Sequence, residues 1–344
     1  MLETYAPIVL FTYNRPKHTA QTIQALSANQ LALKSDLYIY QDAPKPNASQ
    51  DILQSHAQTK NYIQDFITNN TQKPLFKSIT FIEREHNLGL ADSIIDGITY
   101  VINQYQRAII LEDVIIVSPV FLDYMNTALQ RYENEEKVWS ITAWSYPIDT
   151  SGLGDCYFWR LPHCWGWATW ASRWQYYKRD ITWALENFSQ SDIDYINIDG
   201  VARYYDHLLA NAQGKIKTWA IFNYLIGYKH NTLNLCPSTS YVKQIGFDGS
   251  GVHCGKEGEV FNVSHTNMKF PITFPQEIIE SPLALERIKA FELSLKKPLP
   301  LRVYRKLCRI AHSLSQKVSY LVGVGGAVDN ILTIDTPPYY AEVA

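Results

Sequence analysis

The chain lacks the features that would identify a membrane, nucleic-acid or zinc-binding protein. None of its hydrophobic runs is long enough to cross a bilayer, and the first residues lack the basic and apolar regions of a signal peptide. A formal net charge of −2 over 344 residues disfavours a general nucleic-acid-binding surface. The five cysteines include no closely spaced pair of the kind that binds zinc. We therefore expect a cytoplasmic protein without a nucleic-acid partner.

The glycine-rich motifs of common nucleotide-binding proteins are also absent. The sequence has neither Gly-x-Gly-x-x-Gly nor a Walker-type loop, which disfavours dinucleotide and ATP sites of those kinds. Aromatic residues, by contrast, are abundant, with nine Trp and 23 Tyr. Aromatic faces stack on sugars and bases, although filling a core is their commoner role.

Short apolar runs alternate with segments of helical periodicity over the first 120 residues. Four strands are predicted, at 7–12, 36–42, 78–84 and 107–114. The predicted helices between them cover 17–29, 52–69 and 91–104. Strands and helices in this alternation form right-handed βαβ units. We therefore predict an α/β fold with a Rossmann-like, mostly parallel sheet flanked by helices. Two further strands are predicted, at 140–143 and 157–160.

The fourth predicted strand is an aliphatic run that ends in two adjacent acids, Glu112 and Asp113. In open α/β sheets, ligands bind at the carboxyl ends of the strands, where acids suit a metal ion or the hydroxyls of a sugar or ribose. The alternative is that these acids cap the turn before a helix that begins near Ser118 and Pro119. Because all four predicted strands are followed by polar residues, a nucleotide site at this edge is the simpler interpretation.

Five segments of the chain resemble bacterial family 2-like glycosyltransferases, which have the GT-A fold. They are residues 6–16, 85–91, 110–113, 164–170 and 245–254, and the resemblance spans roughly residues 5 to 255. It implies transfer of a sugar from a UDP- or dTDP-linked donor to a glycan or lipid-linked glycan in surface polysaccharide synthesis, with inversion. The implied donor-binding residues are Thr12, Tyr13, Asn14, Arg15, Asp42, Arg84, Asn87, Gly89, Glu112 and Asp113.

Phe222 stands where the family has an arginine, and two further departures from the family pattern bear on the chemistry of the site. Glu112 and Asp113 match the start of the family's Glu-Asp-Asp form of the DXD motif, but the third position is Val114. Valine cannot coordinate Mn²⁺ or Mg²⁺, the cofactors that the resemblance implies, which leaves Asp113 and His253 as the implied metal ligands. The alternative for His253 is a hydrogen-bonded loop residue. Lys217 stands where the family has an acid, and it is a candidate for neutralising the diphosphate in place of a metal.

Because Lys217 replaces an acid of the family, the sequence does not identify the general base. The candidates are Asp149, Asp155, Asp180 and Asp248. We favour Asp248, because its glycine-rich loop also contains His253, and Asp113 is the second implied catalytic residue. Trp165 and Trp167 are candidates for an acceptor platform, and packing in the core is an equally good role for them.

The resemblance and the shift in composition near residue 270 divide the chain into predicted domains. They are a GT-A domain at 1–270, with a nucleotide half at 1–120 and an acceptor half at 121–270, a helical C-terminal region at 271–325 and a tail at 326–344. Residues 296–317 contain seven basic residues, no acid and an apolar face at helical spacing. This basic helix fits either an anionic membrane surface, as a peripheral contact on the inner face of the plasma membrane, or the catalytic domain.

Two rival functions follow from the same residues. A non-catalytic relative that binds sugar nucleotides or glycans, or acts as a partner subunit, is favoured by Val114 and Lys217. A nucleotidyltransferase would use a similar sheet. It is disfavoured because the turn after the first strand, residues 13–16, lacks the expected glycines.

Overall fold

An eight-stranded mixed sheet forms the centre of the computed structural model, which describes residues 4–249 and 256–296. The strands are β1 (Ile8–Thr12), β2 (Asp36–Gln41), β3 (Ser78–Glu83), β4 (Arg107–Glu112), β5 (Ile115–Val117), β6 (Val138–Thr142), β7 (Cys156–Trp159), β8 (Trp167–Trp170), β9 (Leu233–Pro237) and β10 (Val242–Gln244). The α-helices are α1 (Pro16–Ser27), α2 (Gln50–Gln72), α3 (Leu90–Tyr105), α4 (Phe121–Arg131), α5 (Ala171–Trp174), α6 (Ile181–Glu186), α7 (Gln190–Ile196), α8 (Tyr205–Ala212), α9 (Ala220–Lys229) and α10 (Pro282–Ser294).

The strand order in the large sheet is β3-β2-β1-β4-β8-β6-β9-β7. The first four of these strands are parallel, as the βαβ alternation predicts. In the second half, β8 is antiparallel to both β4 and β6, β9 is parallel to β6, and β7 is antiparallel to β9. The predicted α/β class and mostly parallel sheet are therefore confirmed. No strand is predicted from the sequence at 167–170, where the structure has β8, all four of whose residues are buried.

The core follows the aliphatic runs of the strands. Every residue of β1 is buried, and the four aliphatic residues of β4, 108–111, are at most 1% exposed. Such burial on both faces is what a central parallel strand requires, and it explains the absence of polar alternation in these runs. Helix α3 packs against both strands. In the part of the chain that the structure describes, no helix is both long enough and apolar enough to span a membrane.

The strands of the second half meet the first half through close packing at Gly166. This residue has a φ of +72°, and a Cβ placed on it would lie 3.3 Å from Leu111 of β4 and 3.1 Å from Val242 of β10. This glycine therefore permits the turn before β8 to approach β4 and β10 closely.

A buried arginine ties the last described helix to the sheet. Arg160, which directly follows β7, donates hydrogen bonds of 2.6 Å to each carboxylate oxygen of Glu280 and one of 2.9 Å to Asp199. Bidentate pairing of this kind is strong and geometrically specific. Ala284 and Ile288 of α10 lie in the same core as the sheet strands. The segment that leads into α10, and α10 itself, therefore pack directly on the fold. The predicted basic helix at 296–317 lies outside the described residues except for Lys296.

Gly97 of α3 lies against β1, so a substitution at this position tests how the helix packs on the strand. A Cβ at this position would lie 2.7 Å from the ring of Phe11, which is buried and stacks on Tyr40 with a centroid distance of 5.5 Å. Overpacking of this kind outweighs the gain in helix propensity of a Gly→Ala change. We expect Gly97→Ala to lower the free energy of unfolding by about 1–2 kcal/mol in urea denaturation. The exposed Asn103→Ala in the same helix should change it little, and Phe11→Leu should relieve the effect. An unchanged stability for Gly97→Ala would contradict this packing.

His163 gives the fold a specific sensitivity to acid. Its ring is 3% exposed and lies between Trp144 and Tyr146, and burial lowers its pKa to about 3. In the unfolded chain the His163 ring binds a proton near pH 6.5, whereas in the folded chain it stays neutral down to about pH 3. The contribution of the neutral ring to the free energy of unfolding is therefore complete above pH 6.5 and is lost as the pH falls toward 3. His207 changes the free energy of unfolding with pH in the same direction, because burial lowers its pKa to about 4.

We therefore expect His163→Phe to flatten the acid limb of the stability curve. Between pH 6 and pH 4.5 the slope should fall by about 1.4 kcal/mol per pH unit, measured by urea denaturation at several pH values. The exposed His86→Gln should retain the wild-type slope. An acid limb of equal slope in His163→Phe and wild type would show that His163 is not the responsible group.

Candidate functional site

The candidate site lies where β1 and β4 end. The two strands are parallel neighbours, with Phe11 in register with Glu112, so the turns that follow them lie side by side. The turn after β1 leads into α1, whose N-cap position is Arg15 and whose first residue is Pro16. Proline suits the first position of a helix, which explains why α1 begins there. Glu112, the last residue of β4, is half-buried.

Asp113 is held inside the protein by α1. Its carboxylate accepts a hydrogen bond of 3.1 Å from the hydroxyl of Thr19, and its carbonyl accepts one of 3.0 Å from the hydroxyl of Thr22. Burial raises the pKa of the Asp113 carboxyl, while the charge of Arg15, the hydrogen bond from Thr19 and the charge of His18 lower it. The acid predicted to bind a metal thus has the guanidinium of Arg15 and the imidazole of His18 near it.

Val114 belongs to the core. It is 5% exposed, its carbonyl accepts a hydrogen bond of 2.9 Å from the backbone N–H of Ile245, and its side chain packs over Gly246. The adjoining strands β5 and β10 pair in antiparallel fashion, from Ile115 with Gln244 to Val117 with Val242. A carboxylate in place of Val114 would face apolar neighbours, so the departure from the family motif matches its surroundings.

The same strand pairing carries Asp248 to α1. Asp248 ends the short 3₁₀ helix Gly246–Asp248, and one of its carboxylate oxygens lies 3.1 Å from Nε2 of His18. The side chain of Asp248 is 46% exposed and that of His18 is 16% exposed. We call Arg15, His18, Asp113 and Asp248 the edge cluster. His18 was missed by sequence reasoning, because nothing local to residues 14–18 distinguishes it from an ordinary helical histidine.

Asp42 organises the loop before α3. Its carboxylate accepts four hydrogen bonds, from the backbone N–H groups of Ala43, Leu88 and Gly89 and from the side-chain amide of Asn87, at 2.9–3.1 Å. Four donors fill the acceptor capacity of a carboxylate. The residue therefore shapes the edge by fixing residues 87–89, and Gly89 begins α3 with a φ of +74°.

The other predicted donor-binding residues surround the same edge. Thr12 is buried, and its hydroxyl donates to the carbonyl of Tyr40 at 3.0 Å. Arg84 pairs with Asp96 at 2.5 Å, and its guanidinium lies 4.7 Å from the ring centre of Tyr40. Tyr13 is half-buried in the turn after β1, and so is Asn14. Burial raises the pKa of Tyr13.

The two tryptophans proposed as an acceptor platform are buried. Trp165 is 4% exposed and packs edge-on against Trp144 at a centroid distance of 5.0 Å. Trp167 is 1% exposed, lies in β8 and stacks on Trp219 at 5.3 Å. These positions favour the core role that the sequence left open, since neither ring has a face turned to solvent.

The remaining base candidates have local partners away from the edge cluster. Asp149 accepts hydrogen bonds from Ser151, and Asp155 pairs with Lys269 and the backbone of Thr273. Asp180 is the N-cap of α6. Lys217, for its part, forms an ion pair with Asp92 in the first turn of α3.

The described part of the edge does not fit a divalent cation. Within residues 4–249 and 256–296, no three acid, histidine or cysteine side chains are grouped closely enough to hold a metal ion. Asp113 is hydrogen-bonded and flanked by Arg15 and His18, whereas Mn²⁺ or Mg²⁺ requires several free oxygen ligands. His253, the other predicted ligand, lies outside the described residues.

Comparison with known proteins gives a partial family match and remote structural likenesses. The model of the GNT-I family matches residues 2–151, a little under half of the chain. No curated protein matches significantly by sequence. Structural neighbours include a mannosyltransferase from Pyrobaculum calidifontis in complex with GDP-Man and Mn²⁺, with 12% identity, a TM-score of 0.36 and coverage of 66% of this chain and 70% of that one.

Two further neighbours are of similar remoteness. TarS from S. aureus has 11% identity and a TM-score of 0.28, over 41% of this chain and 22% of that one. An apo UDP-glucose pyrophosphorylase has 11% identity and a TM-score of 0.36, over 74% of this chain and 96% of that one. The α/β assignment rests on the sheet itself. The match to a glycosyltransferase-like family over residues 2–151 supports a GT-A-like fold and a nucleotide-sugar glycosyltransferase, and the family 2 resemblance is not confirmed.

Proposed function

We propose that this chain is a glycosyltransferase whose nucleotide-sugar donor binds at the carboxyl ends of β1–β4. The observation that carries the proposal is the edge cluster, in which acids from two distant turns meet around His18 at the sheet edge where α/β proteins bind ligands. Three of its four members, Arg15, His18 and Asp113, lie within the segment that matches the glycosyltransferase-like family.

Asp248 is the proposed general base. Its carboxylate is half-exposed, so an acceptor hydroxyl can reach it, and it is the one base candidate that touches the edge cluster. In the proposed step the acceptor oxygen attacks the anomeric carbon and forms the new glycosidic bond. The bond from that carbon to the diphosphate oxygen breaks, the nucleoside diphosphate leaves with the electron pair, and the hydroxyl proton passes to Asp248. His18 is a positioning residue, because it holds Asp248 in place.

The donor proposed is UDP- or dTDP-linked, and the acceptor is a glycan or lipid-linked glycan of a surface polysaccharide. These assignments come from the sequence resemblance. Tyr13 and Asn14 sit half-buried in the turn after β1, where an aromatic ring and an amide suit a nucleobase. The membrane contact of residues 296–317 is part of the same proposal.

A second candidate is a GT-A-like protein that binds a donor without transferring it. Two observations favour this alternative. Val114 is packed into the core. Lys217, which stands where the family has an acid, is paired with Asp92. Binding and turnover must therefore be measured separately.

Donor binding is the direct test. Isothermal titration of the full chain with UDP-glucose, UDP-N-acetylglucosamine, UDP-galactose and dTDP-glucose, each with MnCl₂ and with EDTA, should identify at least one donor that binds with a micromolar to millimolar Kd. Release of UDP or dTDP from that donor, with and without added glycans, then separates a transferase from a binding protein. Failure of every donor to bind under both conditions would overturn the proposed function.

Asp248→Asn tests the base. We expect donor Kd to stay within about twofold, because Asp248 acts on the acceptor, and turnover to fall by roughly 10²- to 10⁴-fold. His18→Ala should also lower kcat, with an unchanged melting temperature. His18→Gln keeps a side-chain N–H and should therefore lose less activity. Asp149→Asn, an exposed acid outside the cluster, is the matched control and should retain wild-type turnover. Full activity of the Asp248→Asn variant would contradict the proposal that Asp248 is the general base.

A further inference from the structure

The proposed transfer leaves a nucleoside diphosphate, whose developing negative charge needs a cation close to it. Divalent metals supply that charge in many phosphate-binding sites, but they need several oxygen ligands. The described residues at this edge provide no such group. Asp113 is enclosed by α1, and the adjoining Val114 is part of the core.

Arg15 is a cationic side chain at this edge, at the N-terminus of α1. Burial raises the pKa of the Asp113 carboxyl, and the charge of Arg15 opposes that rise. Within the described residues, however, its guanidinium takes part in no hydrogen bond or ion pair, unlike Arg84 and Lys217, which are paired with Asp96 and Asp92. The residue is half-buried, so its position is restricted while its donors stay accessible.

The backbone around Arg15 suits an anion as well. Arg15 is the N-cap of α1, a helix of 12 residues whose first turn contains no acid. The helix dipole and the free N–H groups of such a terminus favour a phosphate, and a guanidinium can bind phosphate oxygens in bidentate fashion. Of the two acids in the edge cluster, Asp113 is hydrogen-bonded by Thr19 and Asp248 lies 3.1 Å from His18.

We propose that Arg15 binds the diphosphate of the donor and takes the part of the metal ion, so that donor binding by this chain is independent of divalent metal. This inference rests on the proposed function, since it assigns the charge partner of the same donor site. It is more specific than the role that the sequence resemblance implies for Arg15, which is contact with the donor.

The test compares UDP and uridine as probes of the full chain. Isothermal titration with UDP, in MnCl₂ and in EDTA, should give Kd values within about twofold of each other. Arg15→Gln should weaken UDP binding roughly 10- to 100-fold under both conditions, as expected for loss of charged hydrogen bonds. The same variant should change the affinity for uridine, measured by competition with a nucleotide donor, by less than about threefold.

Two further variants control for charge and folding. Lys17→Gln removes one positive charge from an exposed neighbouring residue of α1 and should leave UDP affinity within about twofold of wild type. Arg15→Lys keeps the charge but loses the planar fork, so it should lie between wild type and Arg15→Gln. Melting temperatures of both Arg15 variants should match the wild type, and Arg15→Lys serves as the test if Arg15→Gln does not fold.

Each contrary result has a distinct meaning. UDP binding that disappears in EDTA would overturn the metal-independent site while leaving the proposed function in place. Unchanged UDP affinity in the Arg15 variants would exclude Arg15 as the diphosphate partner. An equal loss for uridine and UDP would assign Arg15 to the nucleoside instead. If the wild-type chain binds neither UDP nor any nucleotide sugar, the proposed function itself fails.

Discussion

The buried carboxylate of Asp113 is the constraint on which the carboxyl edge of the sheet depends. A carboxylate that leaves water must be hydrogen-bonded and balanced by charge, and here the partners come from the first turns of α1, through Thr19, His18 and Arg15. Asp113 therefore fixes α1 against the end of β4. Since β1 and β4 are paired in register, this contact also sets the course of the turn that contains Arg15.

The C-terminal half of the fold is arranged around the same point. After Asp113 the chain turns into Val114 and β5, and β5 pairs with β10. That pairing places Gly246 over Val114, where a Cβ would lie 3.1 Å from the valine side chain, and the following residues bring Asp248 to His18. A buried valine and a glycine thus determine where the half-exposed acid lies. The family's third acid at position 114 would place a carboxylate at a buried position, which costs free energy unless it is paired.

Much of the fold could be predicted from local sequence, whereas the edge cluster could not. The aliphatic runs of β1 and β4 and the helices between them define the parallel half, and they place Arg15 and Asp113 at one edge. The ion pair between His18 and Asp248 joins residues 230 positions apart, and it depends on the pairing of two strands of three residues each. The sequence could not decide whether Trp165 and Trp167 are buried, because the local sequence does not distinguish a tryptophan that packs in a core from one that binds a sugar.

The charge pattern of the edge argues against a simple loss of function. If the site had decayed from a metal-binding ancestor by losing one acid, the remaining acids would be left exposed and uncompensated. Instead Asp113 is hydrogen-bonded, Asp248 is paired with His18, and Val114 fills the space over Gly246. The Arg15 guanidinium has no hydrogen bond or ion pair within the described residues, and its charge acts on Asp113. A site in which Asp113 is hydrogen-bonded, Asp248 lies against His18 and the Arg15 guanidinium has no partner among the described residues suits direct binding of an anion, which is the physical basis of the metal-independent donor site proposed above.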